Sequence, residues 1–377
     1  MRVAAGGDGN TRERRPFASG LAPKDRPVPE DTSATFLAAW KRFDPQRPVL
    51  VVTHNDADGL SAGALFRRVL ERVGRVVEVR VLGRGESPWS SETQAAWRDR
   101  DLGGLIVTDL GTRGSDLGTK APTIVVDHHV PKGRPEAATL ISGFDEEPIP
   151  TSSLLAYRCV SALTPCEDMI WLAAVGLVGD LGDKAPFDEL ADAKARFGAT
   201  AIKELVSLVN APRRASAGNA GPALDLLLRA TSPKDALKAP HPEREVLDAA
   251  RLEVKAALEE GRRRPPKVVG DVALISLDTP CQIHPLVAQA WRTRLKDKIV
   301  IAANHGYRRD WVHFAARSAT GRNLIAFLRD VAPPNADENY GSGHEQATGG
   351  ALRTVDWPLF LRNIGFDPAV PSGLRVG

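Results

Sequence analysis

Short apolar runs rich in Val and Ile recur through the first half of the chain, separated by amphipathic stretches. The run at 48–53 suits one buried strand. After it, Leu60, Ala64, Leu65, Val69 and Val73 fall at helical spacing, and Gly74 is placed to cap that helix. Residues 76–82, 105–108 and 123–126 predict further strands. Thr151 and Ser152 can cap a helix to about 163, and Glu167 opens another to about Asp180. Strands that are apolar throughout must be covered on both faces. The alternation therefore predicts an α/β fold with a mostly parallel, doubly wound sheet. A short amphipathic helix at 34–43 precedes it.

The texture changes after Asp183. Residues 187–262 are rich in Ala, Leu, Lys, Arg and Glu and predict helices only, the last of them ending before Pro265-Pro266. Beyond lie predicted strands at 268–277, 298–304 and 310–318, a helix from Pro285 to 295, and another after Gly321 to 331. The organisation read from this is a mobile tail at 1–33, a sheet domain at 34–186 and a helical connector at 187–265. A second, smaller α/β domain at 266–377 would face the first across a cleft.

Composition narrows the classes. With 377 residues, 42% hydrophobic and 26% charged, the chain reads as an ordinary soluble globular protein. Fifty Lys and Arg against 47 Asp and Glu give +3, so an anionic ligand has to be held by a local basic patch rather than a basic coat. Cys159, Cys166 and Cys281 form neither a disulfide framework nor a CxxC pair, which fits a reducing compartment. The most apolar stretch, 170–178, is far short of the ~20 residues a spanning helix needs. Arg12, Arg14 and Arg15 are followed by no apolar run, so the start is not a secretory signal. A cytoplasmic protein without membrane contact is expected.

Four clusters carry candidate chemistry. His54, Asp56 and Asp58 leave the first strand at alternating positions, where open α/β sheets bind ligands. Asp109 ends the strand at 105–108, Asp127-His128-His129 follows the strand at 123–126, and Asp180 ends an apolar helix with Asp183 near it. Each has a bland reading alone: Asp109 as the N-cap of a following helix, a lone His as a structural residue, Asp180 as a solvated helix end. Together they change meaning. Carboxylates and imidazoles converging without compensation repel at a cost of several kcal/mol, which divalent cations remove. Asp and His donors without Cys suit manganese or magnesium better than structural zinc.

His-x-Asp-x-Asp-Gly after a strand, a lone Asp after a later one, Asp-His-His after another and Gly-Asp after a helix resemble the DHH phosphoesterase superfamily. Gly341-Ser342-Gly343-His344 is similar to the glycine-rich signature of its DHH-associated C-terminal domain, with Ser342 where the middle glycine usually stands. Arg317-Ser318 resembles that domain's Arg-Ser strand. The elements occur in family order from about 53 to 350. They look closer to the RecJ-like nuclease branch than to family II pyrophosphatases, whose wider His-to-Asp spacing and Lys/Arg-rich C-terminal motif are missing here.

The resemblance implies two divalent ions, manganese first and magnesium second. His54 and Asp56 would hold one, Asp58, His128 and Asp180 the other, with Asp109 bridging both. Ions about 4 Å apart lower the pKa of the water between them and clamp attacking and leaving oxygens. His129 would sit near the phosphate as electrostatic partner or proton donor, and Asp127 would orient the histidines. Arg317 can grip a phosphate with paired hydrogen bonds, supported by Ser318 and the glycine motif, read as leading into a small-residue helix. The other histidines, the tryptophans and Arg262-Arg263-Arg264 read as structural, although that arginine run could brush a nucleic-acid backbone.

The function read from this is a manganese-dependent phosphodiesterase. It would release mononucleotides from an end of single-stranded DNA or RNA, short oligonucleotides above all given the near-neutral charge. One rival acts on cyclic or linear dinucleotides or bisphosphorylated nucleosides. Another is a non-catalytic scaffold in a replication or repair complex, although such scaffolds lose metal ligands and all six positions are filled here.

Overall fold

Val49–Thr53 forms β1 because five successive apolar or small residues can all be buried in a sheet covered on both sides. A computed structural model of the chain describes residues 31–336 and 340–367. The expected tail at 1–33 falls almost wholly outside them. Helix α1, Thr32–Trp40, is capped by the Asp31 carboxylate and leads into β1. There follow α2 (Ala57–Arg72), β2 (Val77–Val81), the short α3 (Ser91–Gln94), β3 (Gly104–Thr108), β4 (Thr123–Asp127) and β5 (Ala138–Ser142). The order across the sheet is β2-β1-β3-β4-β5, every pair parallel.

Helices α4 (Ser152–Ser161) and α5 (Ile170–Asp180) complete this layer. Val49, Val51, Ile106, Ile124 and Val126 pack beneath α2, α4 and α5 on one face. Leu50, Val52, Leu105, Val107 and Val125 point the other way, onto Trp97, Leu102 and Leu117. Loop residues and α3 cover that second face, with the Trp97 indole anchored to the Leu117 carbonyl at 2.7 Å. The parallel order sends all five carboxyl ends to one edge.

Six helices follow: α6 (Asp188–Phe197), α7 (Ala199–Val209), α8 (Ala211–Arg214), α9 (Gly221–Arg229), α10 (Pro233–Lys238) and α11 (Arg244–Arg263). Helices α6, α7, α9 and α10, with Leu247 of α11, carry apolar residues that extend the core under α2 and α5. The second sheet contains β6 (Lys267–Val269), β7 (Val272–Leu277), β8 (Ile299–Arg308), β9 (Trp311–Ser318), β10 (Ser342–His344) and β11 (Ala347–Arg353), in the order β10-β11-β9-β8-β7-β6. All of its pairs are antiparallel except β7 with β8. Helices α11 and α12 (His284–Arg292) cover one face, and α13 (Leu324–Asp330) and α14 (Trp357–Asn363) the other, where Phe314 stacks on Phe360 at 5.3 Å.

Two sequence expectations change. The stretch 268–277 is a hairpin of two strands, broken where Gly270 takes φ +53°. The glycine motif does not lead into a helix: residues 347–353 are a strand, so the motif lies in a β10–β11 hairpin. No helix among the described residues is long and apolar enough to cross a membrane.

Candidate metal centre

The first-sheet edge gathers the acidic residues for local reasons. Asp56 caps α2, its Oδ1 accepting from the Asp58 and Gly59 amides at 3.2 Å. That turn is tight: a Cβ on Gly59 would stand 2.7 Å from both the His54 Cβ and carbonyl oxygen, so glycine is required for α2 to start so close to β1. Asp58 is buried and faces the start of α4, where its two oxygens accept from Ser152 N at 2.8 Å and Ser153 N at 3.0 Å. A carboxylate suits a helix N-terminus.

Asp109 caps no helix. It ends β3 in the left-handed region at φ +63°, is 4% exposed, and is held by its own amide on Val126 O and by the Ser152 hydroxyl on its Oδ1 at 3.0 Å. Such a backbone costs about 1 kcal/mol or more in a non-glycine residue and tends to persist at functional sites.

Around Asp109 two groups of donors form. His54, Asp56 and Asp109 each offer a ligand atom, all within 4.8 Å of one another, and so do Asp109, His128 and His129. Asp109 is common to both. His128 Nε2 also lies 3.9 Å from Asp58 Oδ2 and 3.7 Å from Asp180 Oδ2. The six candidate ligands thus converge. Asp183 turns away to pair with Lys203 at 2.8 Å. Asp127 orients only one of the two histidines: its Oδ1 meets His129 N at 2.8 Å and His129 Nδ1 at 3.0 Å, while Oδ2 accepts from Gly111 N at 2.7 Å.

The electrostatics report crowded negative charge. Burial and the Asp109 charge push Asp58 up to about 7. Burial opposes protonation of His54, yet Asp56 and Asp109 raise it to about 10, and against burial Asp109, Asp58 and Asp180 raise His128 to about 9. Raised pKa values on acid and imidazole alike are the signature of a negative field that divalent cations would neutralise. All donors are carboxylate oxygen or imidazole nitrogen. The set fits manganese or magnesium.

Other residues enter that sequence reasoning missed. Arg213, from α8, places Nη1 3.3 Å from Asp56 Oδ2, and Asn210 accepts the Ala57 amide at 3.1 Å. Arg84, after β2, donates to the Ala215 and Ser216 carbonyls and covers the Tyr307 ring at 4.5 Å. Nothing periodic flags these positions, and only a basic doublet after Pro212 hints at Arg213.

In the second sheet, β9, β11 and β10 put Arg317, Ala347 and His344 at matching register. Arg317 Nη1 donates to Ala316 O and Thr348 O, which leaves Nε and Nη2 for a ligand. Ser318 is buried, its hydroxyl on Thr320, so it shapes the strand end rather than offering itself to a ligand. Gly341 and Gly343 take φ +70° and +126°. The side chains of Ser342 and His344 lie outside the described residues.

No family model and no curated protein matches the chain. Solved structures do. Exonuclease RecJ bound to manganese aligns with a TM-score of 0.63 at 20% identity, over 89% of this chain and 94% of that one. RecJ from Thermus thermophilus with Mn2+ aligns with a TM-score of 0.66 at 19% identity, over 92% of this chain and 56% of that one, so this chain spans just over half its length. CDC45 from Entamoeba histolytica aligns with a TM-score of 0.55 at 10% identity, over 88% and 98% of the two chains. At these identities the likeness is one of fold.

Proposed function

We propose that this chain, whose fold is that of the RecJ-like DHH superfamily, is a manganese-dependent phosphodiesterase that removes mononucleotides from an end of single-stranded DNA or RNA. The observation that carries the reading is that Asp109 stands between two sets of metal-suited donors, with Oδ2 3.6 Å from His54 Nδ1 and Oδ1 3.6 Å from His128 Nε2. His54 and Asp56 would hold one ion, Asp58, His128 and Asp180 the other, and Asp109 both. Such a pair, when bound, supplies Lewis acidity and neutralises phosphate charge.

The chain's own residues do the rest. His129 is tied through Nδ1 to Asp127, which leaves Nε2 as the atom able to give a proton to the leaving oxygen. Arg213 brings a cation beside Asp56, where phosphate charge would be added. Residues 34–186 serve as the catalytic domain and 187–265 as the connector carrying Arg213. Residues 266–377 form the substrate-binding domain, with Arg317 and the 341–344 hairpin gripping the terminal nucleotide.

The test is incubation of purified protein with manganese and end-labelled 2-mer, 5-mer and 30-mer DNA and RNA, beside cyclic dinucleotides. Stepwise mononucleotides from the oligomers are the expected products. Turnover of cyclic dinucleotides alone would move the activity to the small-molecule class, and no turnover of any substrate would leave a scaffold.

A further inference from the structure

A second basic site lies apart from the carboxylate cluster. Where α11 ends beside α12, Arg262, Arg263 and Arg294 line a pocket of about 500 Å³ with Trp291, Pro265 and a single acid, Glu259. The three arginines are exposed, and none has an ion pair or side-chain hydrogen bond among the described residues. Their neighbour Arg264 differs, being paired with Glu260 at 2.7 Å. The Arg294 guanidinium lies 4.9 Å from the centre of the Trp291 ring and covers one of its faces, so a base finds little platform there. Forked N–H donors remain on offer, which is the chemistry of phosphate recognition.

The pocket is also connected. Helix α12 starts at His284, beside Tyr307 at 5.7 Å between ring centres, and Trp291 lies seven residues on, about 10 Å along the axis. Helix α12, which carries Trp291 and Arg292, packs against β9, the strand of Arg317. Arg292 is near enough that its charge, after burial, helps hold the Arg317 guanidinium below the usual arginine range. The pocket and Arg317 thus sit on elements packed directly against each other.

We propose that this pocket holds backbone phosphates of the same single strand whose end is cut at the carboxylate cluster, some nucleotides away from that end. The inference rests on the proposed phosphodiesterase activity and adds a second anchor to it. Two anchors on one strand raise affinity by effective concentration only for strands long enough to reach both. Phosphates of a free nucleotide offer the same oxyanions, and the experiment separates the two.

Fluorescein-labelled phosphorothioate oligothymidylates of 5 and 30 nucleotides, which resist hydrolysis, are titrated with the full-length protein in manganese at two salt concentrations. Wild type should bind the 30-mer at least about tenfold tighter than the 5-mer. The R262A/R263A/R294A variant should lose that advantage, and its salt slope for the 30-mer should fall by about 2, since each single-strand phosphate contact contributes about 0.7. An advantage retained by the variant overturns the proposal. So does its removal by micromolar adenosine triphosphate with the 5-mer still bound, which marks a free-nucleotide site. Hydrolysis of unmodified strands is assayed in parallel: a length advantage without hydrolysis supports the pocket and counts against the phosphodiesterase reading alone.

Discussion

Ser152 holds two carboxylates at once, its hydroxyl donating to Asp109 Oδ1 at 3.0 Å and its amide to Asp58 Oδ2 at 2.8 Å. One residue at the start of α4 thereby fixes the spacing between the acid proposed to be shared by both ions and an acid proposed for one of them. Ser152→Ala should keep the fold and weaken manganese affinity by about tenfold or more, the usual effect of removing an orienting partner. Calorimetric titration of manganese into both proteins reads this directly. An unchanged affinity would mean that Asp109 needs no such support.

Asp109 itself permits a sharper experiment. Glycine takes φ +63° without steric cost and removes one of the repelling charges, so metal-free Asp109→Gly should melt no lower than wild type. Asp109→Ala should be less stable than the glycine variant by about 1 kcal/mol, the penalty of that backbone for a side chain. Both should lose hydrolysis by about a thousandfold or more, because each removes the donor common to both groups. Activity within tenfold of wild type in manganese would sink the centre as drawn.

Gly176 in α5 faces Asp58 and Ser153 so closely that an added Cβ would overlap the Asp58 Oδ1 and the Ser153 hydroxyl. Gly176→Ala should therefore cost about 1–3 kcal/mol of stability and displace Asp58. Denaturant titration together with manganese affinity checks both effects. A stable variant with full affinity would show that α5 can move aside freely.

Chemistry and grip separate in a pair of variants. His129→Ala should lower kcat by about a hundredfold with KM little changed, because Asp127 ties the imidazole for proton handling. Arg317→Ala should raise KM with kcat largely kept. Identical defects in the two would refute this division of labour.

His284 sets an acid limit on the second sheet. Burial, with His313 and Arg317 nearby, pulls it down to about 3, so the folded state keeps it neutral while an unfolded chain protonates near 6.5. Its contribution to stability is complete above the unfolded value and is lost as pH falls from about 6.5 toward 3, by up to about 1.4 kcal/mol per pH unit. His284→Leu should gain on wild type steadily from pH 7 to pH 4 in parallel urea titrations. A difference that does not vary with pH would place the acid sensitivity elsewhere.

Strands buried on both faces announce themselves as unbroken apolar runs, which is why β1, β3 and β4 were legible. At the sheet edge β5 buries only Ile141 and leaves no such trace. Between β6 and β7 the apolar run is interrupted only by the two-residue turn Gly270-Asp271, a hairpin signal that the apolar residues on either side outweighed. Among the site residues, acids and histidines at strand ends stand out because the strands before them are so apolar. Ser152 did not, since a hydroxyl at a helix start already has a sufficient explanation as a cap. The small residues 347–351 looked helical, yet Gly349 lies against the Phe314 carbonyl, where a Cβ would stand 2.5 Å from its oxygen, and they serve close strand pairing instead.

The ion pair of Arg213 with Asp56 spans 157 positions of chain. At ribosomal speeds of about 5–20 residues per second, roughly 8 to 30 s separate the synthesis of the two partners. During that interval the nascent acidic edge exists without its arginine and without Asn210 to hold the start of α2. A ribosome-stalled chain ending before residue 210 would display Asp56 without the Arg213 counter-charge and α2 without its Asn210 contact.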